Sequence, residues 1–142
     1  MSNYLLPIHH KYAAAIYDGS KRYEIRRRTP FLHVGDYVFL YETSPIQLVT
    51  GYFIVGGIIT GNPASLYLQY QKWCGIPSEK YYTYTQGKDI VYWLHCHNPR
   101  KFTSPITLMD LGINYRPQSW VKLRCSPDKN TDTLLDYIFS RP

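Results

Sequence analysis

The chain has 142 residues, of which 44% are hydrophobic and 18% charged, and its formal net charge is +6. This length suits one domain with a buried core, and the hydrophobic content excludes a disordered chain. Five of the sixteen lysines and arginines lie between Lys21 and Arg28. Such a basic cluster favours an anionic partner such as nucleic acid, although a solvated charged surface fits the charge equally well.

The cysteines and the hydrophobic pattern bear on the compartment. Cys74, Cys96 and Cys125 include no C-x-x-C pair, which predicts reduced thiols and a cytoplasmic protein. The amino terminus lacks an apolar run of signal-peptide length, and no window of the sequence approaches a membrane span. We therefore expect no membrane partner, and no pattern in the sequence indicates a cofactor.

The first half of the chain is predicted to be mostly β-structure. The predicted elements are a strand over residues 4–8, a helix over 9–17 with Gly19 just past its end, a basic strand, and strands over 37–41 and 47–60. Gly51, Gly56 and Gly57 interrupt the last of these strands. Glycines inside a strand predict bulges or a sharp bend, as a small barrel requires.

The second half begins with a predicted helical insert. Asn62 and Pro63 have the pattern of a cap and a first helical residue, so a helix is predicted from there to about residue 74. Ser78 is predicted to cap a second helix that ends near residue 87. Further predictions are a strand over 89–97 that resumes through 102, a turn over 105–111, a strand over 120–124 and a helix over 128–139 capped by Asp128.

The order of these elements predicts the fold class. Strands, a helical insert and then further strands show no regular β-α-β alternation, which disfavours a parallel doubly wound sheet. The predicted fold is α+β, a mostly antiparallel β-barrel with flanking α-helices, and it forms one domain over residues 1–142.

The basic strand, over residues 22–28, has the period of an alternating β-strand. Tyr23 and Ile25 point to one side, while Glu24 and Arg26 point to the other together with further arginines. Asp18-Gly19 precedes this segment as a turn, and Pro30 ends it because proline cannot donate to a ladder. The sequence therefore predicts a strand with a cationic face that contains one carboxylate.

The same segment resembles a known family. Gly19, Lys21, Glu24 and Arg26 match the G-x-K-x-x-E-x-R signature of the ASCH domains, a branch of the PUA-like β-barrels. The similarity covers roughly residues 5–123 and leaves 126–142 as a carboxy-terminal extension, predicted to be helical. Further segments resemble small prokaryotic ASCH proteins described as transcriptional regulators; they are residues 11–13, 35–36, 41–45, 49–53, 74–79 and 117–120.

The resemblance implies a PUA-like barrel with a cleft between barrel and helices, where the signature lies. It also implies a cytoplasmic module that binds RNA or a related nucleotide, with transcription regulation as a possible role. Two alternatives are a ribonuclease and a hydrolase of acetylated cytidine. A ribonuclease would use Lys21 and Arg26 to stabilise a phosphorane-like state, but the sequence offers no clear general base.

The hydrolase alternative departs from the family pattern at one position. In that subgroup a lysine, matched by Lys21, is paired with a threonine nucleophile three residues on and a glutamate on the flanking helix, for which Glu79 is the candidate. Glu24 stands at the threonine position. A carboxylate is a poor substitute for an activated hydroxyl, so we expect nucleic-acid binding without acetylcytidine hydrolysis.

Each candidate binding residue has a structural alternative. Lys21 is either a ligand contact or a solvated lysine, and Glu24 with Arg26 is either a ligand contact or a structural ion pair that orients the arginine. Tyr41 is a stacking platform or a barrel residue. Ser44 binds ligand or caps its own turn.

Three further segments carry side chains that are common in sites. Gln118 and Ser119 either close the cleft or form a local turn. His95 and His97 share a strand face, as zinc ligands can, but no second pair has the spacing that a four-ligand site needs, so no metal is expected. Cys74 lacks an ordered His–Asp partner and is predicted to be a buried thiol rather than a nucleophile.

Overall fold

The computed structural model describes residues 2–123. Its strands are β1 (Asn3–Ile8), β2 (Tyr23–Arg26), β3 (Tyr37–Glu42), β4 (Leu48–Gly61), β5 (Val91–Ile106) and β6 (Val121–Lys122). Its α-helices are α1 (His10–Asp18), α2 (Pro63–Tyr70) and α3 (Ser78–Thr85), and Gln71–Trp73 and Met109–Leu111 form short 3₁₀ turns. The helix predicted over residues 128–139 lies outside the described residues.

All six strands join one sheet in the order β2-β5-β4-β3-β1-β6. Only β1 and β3 pair in parallel, and the other neighbours are antiparallel. The predicted α+β class is confirmed. The sheet curls into a half-barrel. It does not close into a full barrel, because β2 and β6 remain unpaired with each other at its two edges.

Bulges bend the two long strands. The register between β4 and β5 shifts three times, between Val49 and Gly51, between Tyr52 and Ile54, and across Gly56 between Val55 and Gly57. A Cβ atom on Gly51 would lie 2.2 Å from the carbonyl oxygen of Arg100, so only glycine allows the strands to approach this closely. The glycine pattern therefore predicted the bend correctly.

Apolar side chains cover both faces of the sheet. Helix α1 packs Ala13 and Ile16 against one face. The opposite face carries a second cluster that includes Phe39 and Tyr41 and is closed by Ile113. The helical insert covers the β2–β5 edge, where Tyr81 of α3 packs with Trp93. The cluster between α3 and β2 brings the insert next to the basic strand.

The helix ends agree with the sequence patterns at two sites and differ at a third. Gly19 ends α1 with φ of +86°, and the Asn62 side chain accepts hydrogen bonds from the first amides of α2. The prediction that Ser78 caps α3 is wrong, because Pro77 occupies the cap position and Ser78 is the first helical residue. Pro77 caps without a side-chain hydrogen bond.

Two strand boundaries also differ from the predictions. Strand β2 ends at Arg26, so Arg27 and Arg28 belong to the following loop. Strand β5 continues through Asn98-Pro99 to Ile106. The irregular backbone conformation at this point is confined to Asn98, whose φ is +44°, so it does not end the strand. No helix within residues 2–123 is long and apolar enough to cross a membrane.

Candidate functional site

Three charged side chains of the basic segment, which we define as residues 21–28, form one buried network. The Lys21 side chain is fully enclosed, and its Nζ lies 3.5 Å from Oε1 of Glu24. The other carboxylate oxygen of Glu24 accepts from Nε of Arg26 at 3.0 Å. Glu24 thus balances two cations, and its pairing with Arg26 confirms that these two side chains share a strand face.

Lys21 is held from three directions. Its Nζ donates to the carbonyl oxygen of Cys74 and lies 5.5 Å from the ring centroid of Tyr12. Gly75 adopts a φ of +68°, and a Cβ atom there would lie 3.0 Å from the Lys21 stem. The lysine therefore connects α1, the helical insert and β2 rather than extending into solvent.

Arg26 is the member of this network that reaches an open surface. It is 23% exposed, and its Nη2 also donates to the carbonyl oxygen of Pro7 at 2.9 Å. The hydrogen bonds within residues 2–123 leave its Nη1 without a protein partner. An arginine fixed at two nitrogens can present the third to an anion at little entropic cost.

Arg26 opens into a cleft of about 340 Å³ between the sheet and α3. Its apolar lining comes from strand, helix and insert residues: Pro7, Ile8, Tyr12, Ile25, Ile76 and Tyr84. Its polar lining is His9, Glu24, Arg26, Thr43, Lys80 and Gln118. Half of the lining residues are polar, but most of the surface that faces the cleft is apolar, as is usual for small-molecule sites.

A second cavity of about 400 Å³ adjoins the cleft and is strongly basic. Its lining residues are Arg26, Arg27, Arg28, Tyr84, Lys88, Gln118, Ser119 and Trp120. Arg26, Tyr84 and Gln118 line both cavities. The two cavities therefore adjoin at these three residues, and we call them together the groove, with a mainly apolar end and a cationic end.

Contacts between distant segments build the cationic end. The guanidinium of Arg27 lies over the ring of Tyr84, 4.7 Å from its centroid, and Trp120 donates its indole N–H to the carbonyl oxygen of Arg28 at 3.0 Å. These contacts hold the loop after β2 between α3 and the segment before β6. Arg27 and Arg28 are exposed.

The predicted site residues fall into three groups. Glu24 and Arg26 lie together at the groove, with Lys21 directly behind them, and Gln118 and Ser119 line it from the segment before β6. Tyr41 is buried in the core cluster with Phe39, which fits its barrel alternative.

The remaining two candidates are solvent-exposed. Ser44 lies in the turn between β3 and β4, while its neighbour Thr43 lines the cleft. Glu79 lies on the first turn of α3, where the next residue, Lys80, lines the cleft instead. The helix turns by about 100° per residue, so adjacent positions face different surroundings.

Three groove residues carry no distinctive sequence pattern. His9 precedes α1, Tyr84 lies on α3, and Lys88 lies in the loop after α3. Tyr12 belongs to the segment 11–13 that resembles the family, and the surplus of tyrosine, 15 of 142 residues, was a second available signal. It could not separate Tyr84 in the groove from buried tyrosines such as Tyr81.

Cys74 is buried, as the sequence predicted. Cys74 and Cys96 are buried free thiols, and burial raises the pKa of Cys96 far above its ordinary value. Within residues 2–123, no three His, Cys, Asp or Glu side chains form a group that could hold a metal ion. The rings of His95 and His97 lie 6.1 Å apart beside a smaller cavity on the other side of Lys21.

A half-barrel with the G-x-K-x-x-E-x-R segment at its cleft defines the class of protein. The ASCH domain model matches residues 6–106, and the chain belongs to the ASCH domain family. This confirms the resemblance.

Two characterised proteins are similar in sequence. One is an ASCH domain-containing ribonuclease of Zymomonas mobilis subsp. mobilis, 28% identical over 117 residues, or 80% of this chain and 79% of that protein. The other is the large ribosomal subunit protein uL22 of Ureaplasma parvum serovar 3, 25% identical over 114 residues. The second match spans 80% of this chain but 37% of the ribosomal protein.

Solved structures agree with the fold. The crystal structure of ASCH from Zymomonas mobilis has a TM-score of 0.84 at 22% identity and covers 98% of this chain and 95% of its own. A tyrosine-to-phenylalanine mutant of that protein gives 0.83 at 24% identity, with 96% and 98% covered. The N-terminal domain of Staphylothermus marinus McrB gives 0.56 at 11% identity, with 99% and 94% covered.

Proposed function

We propose that the protein binds single-stranded RNA along the groove, with a nucleobase at its apolar end and phosphates at its cationic end. The observation that carries this proposal is that Arg26, Tyr84 and Gln118 line both cavities, which places an apolar and a cationic surface side by side. Unpaired RNA needs both surfaces at once, because exposed bases stack on aromatic rings while the backbone follows positive charge.

At the apolar end, the aromatic rings of Tyr12 and Tyr84 line the cleft, and a base would stack against them. Stacking of this kind contributes about 1–3 kcal/mol per base. The free Nη1 of Arg26 and the amide of Gln118 supply donors and an acceptor at the rim. A ring system with polar edges would therefore fill the cleft better than a purely apolar ligand.

At the cationic end, Arg27, Arg28 and Lys88 supply three positive charges. Counter-ions released from the RNA backbone by such contacts would make binding weaken with added salt. The names of the two relatives, a ribonuclease and a ribosomal protein, support RNA as the polymer. A regulatory role would use this groove without cleavage.

Ribonuclease activity is the second candidate, because of the relative that bears this name. Cleavage needs a proton acceptor, a proton donor and a cation beside the phosphate. His9 and Lys80 line the cleft with Arg26, so the cleft contains two side chains that can transfer protons. Nδ1 of His9 accepts from the Lys11 amide at 3.1 Å, which leaves the proton of the neutral ring on Nε2 as a donor.

Binding is tested by fluorescence anisotropy of a labelled single-stranded RNA octamer. We expect Arg26→Gln to weaken binding about tenfold, as expected for the loss of one charge-assisted hydrogen bond. The matched control is Lys11→Gln, which removes the same charge from an exposed position of α1. Equal affinities for the two variants would contradict the groove assignment.

Cleavage is tested separately on the same RNA. Products are resolved on a denaturing gel, and an octamer of deoxyribonucleotides serves as a control without 2′-hydroxyls. Cleavage of the RNA alone, abolished in His9→Gln, would establish the ribonuclease. Binding of the RNA without products would leave the protein as a binding module.

A further inference from the structure

A smaller cavity of about 200 Å³ lies on the other side of the basic strand, between the end of α1 and the middle of β5. It is lined by Ile16, Gly19, Lys21, Arg22, His95, Cys96, His97, Asn98 and Pro99. A water molecule occupies about 30 Å³ in the liquid, so the space admits a small hydrated anion. No carboxylate lines this cavity within the part of the chain that the structure describes.

Arg22 carries a positive charge at this cavity and forms no ion pair with a carboxylate among residues 2–123, whereas Lys21, which also lines the cavity, is paired with Glu24. Arg22 stacks on the ring of Trp73, 4.0 Å from its centroid, and Nζ of Lys72 lies 4.9 Å from the same ring. The ion pairs of the described residues do not include Arg22. Arg26, by contrast, is paired with Glu24.

The groups around His95 are either positive or neutral. Burial lowers the pKa of His95, and the neighbouring His97 and Arg22 lower it further. The Tyr23 ring packs against His95 at 5.5 Å from β2, and Lys21 lines the same cavity.

Two acids lie close to the cavity in the sequence, and neither lines it. Asp18 is exposed and accepts a hydrogen bond from the amide of Ser20 at 2.8 Å, while Glu24 pairs with Lys21 and Arg26. Strand β4 places Gly56 and Gly57 beside His95. The cluster therefore gains from a bound anion, which would stabilise the protonated imidazole.

We propose that Arg22, His95 and His97 form a second anion site that binds a phosphate group of RNA. The shared chemistry is a phosphoryl oxygen, which a backbone phosphodiester or a terminal monoester could supply. Arg22 lies six residues before Arg28, about 20 Å along an extended chain. A strand of a few nucleotides could therefore contact this site and the groove together, so this extension of the binding surface rests on the proposed function.

The site is tested on the full chain by NMR of the histidine rings during titration with dimethyl phosphate and, separately, inorganic phosphate. We expect saturable shifts of His95 and His97, tighter binding at pH 6 than at pH 8, and a higher pKa of His95 in the bound state. Dimethyl phosphate carries one negative charge throughout this pH range, so any pH dependence of its binding comes from titration of the protein. The absence of saturable shifts, or equal shifts with acetate, would overturn the proposal.

Variants connect the shifts to the cavity. Arg22→Gln with His97→Gln should weaken binding of dimethyl phosphate at least tenfold at pH 6, and an unchanged affinity would overturn the proposal. Gly56→Ala should have a similar effect, because its Cβ would lie 2.4 Å from Nδ1 of His95. Gly57→Ala is the matched control, since its nearest contact to His95 is 3.9 Å.

RNA octamers with and without a 5′-phosphate distinguish the two sources. If the Arg22→Gln/His97→Gln variant loses affinity for both octamers, the site binds the backbone. If it loses affinity only for the phosphorylated octamer, the site binds the terminus. Dimethyl phosphate tests this site without RNA, while the RNA octamer tests the groove. A negative result for one proposal is therefore distinguishable from a negative result for the other.

Discussion

The two halves of the basic segment have opposite environments. Lys21 and Glu24 are buried in an ion network that Arg26 completes at the cleft. Arg27 and Arg28, which follow directly, are exposed at the cationic cavity. Both halves are rich in charge, yet only the first half carries the residues of the family signature.

This difference distinguishes the residues that stabilise the site from the residues that attract a ligand to it. A buried charge without its partner costs several kcal/mol, so Lys21, Glu24 and Arg26 depend on one another. An exposed arginine can be replaced at little cost in stability. The signature residues therefore build the wall of the cleft, while the exposed arginines next to them set the electrostatic potential of the cleft.

The largest expected effect is on stability. Glu24→Gln would leave the ammonium of the enclosed Lys21 without a counter-charge, and we expect a decrease of about 3–5 kcal/mol in the free energy of unfolding. Urea denaturation followed by circular dichroism measures this decrease. Glu79→Gln is the exposed control and should change stability by less than about 0.5 kcal/mol. A similar decrease in both variants would contradict a structural role for the network.

The next largest effect is on RNA affinity at the apolar end. Tyr84→Ala should weaken binding of the RNA octamer by about 1–3 kcal/mol because it removes the stacking surface, whereas Tyr84→Phe should keep most of the affinity. Tyr115→Ala is the control, since Tyr115 is 55% exposed and lines neither cavity of the groove. If Tyr84→Phe is as weak as Tyr84→Ala, the ring does not act by stacking.

A smaller effect concerns the salt dependence. The triple variant Arg27→Gln, Arg28→Gln and Lys88→Gln should reduce the slope of log affinity against log salt by about 0.7 for each phosphate that the protein no longer neutralises. Anisotropy titrations between low and moderate salt measure the slope. Lys11→Gln should leave it unchanged. An unchanged slope in the triple variant would show that the cationic cavity does not bind phosphate.

The last expectation is that one activity is absent. Lys21 is enclosed and directed at two acceptors, Glu24 and the Cys74 carbonyl, so it is poorly placed to activate a nucleophile. We expect no acetate release from acetylated cytidine, measured with the purified protein. Release that disappears in Lys21→Ala would overturn this expectation and establish an acetylcytidine hydrolase.

Local patterns in the sequence predicted much of the fold. Alternation placed Glu24 and Arg26 on one face of β2, Gly19 marked the end of α1, and the glycines of β4 marked its bulges. Each of these features depends on neighbours a few residues away. Periodicity and backbone preference therefore suffice to identify them.

Only the tertiary structure decided which groups meet at the groove. Trp120 and Arg28 are 92 positions apart, and Arg27 and Tyr84 are 57 apart, yet both pairs are in contact. The same packing enclosed Lys21 and directed Lys80 rather than Glu79 towards the cleft. An alternating pattern indicates which side chains share a face, but the segment that covers that face is selected by long-range packing, which no local pattern encodes.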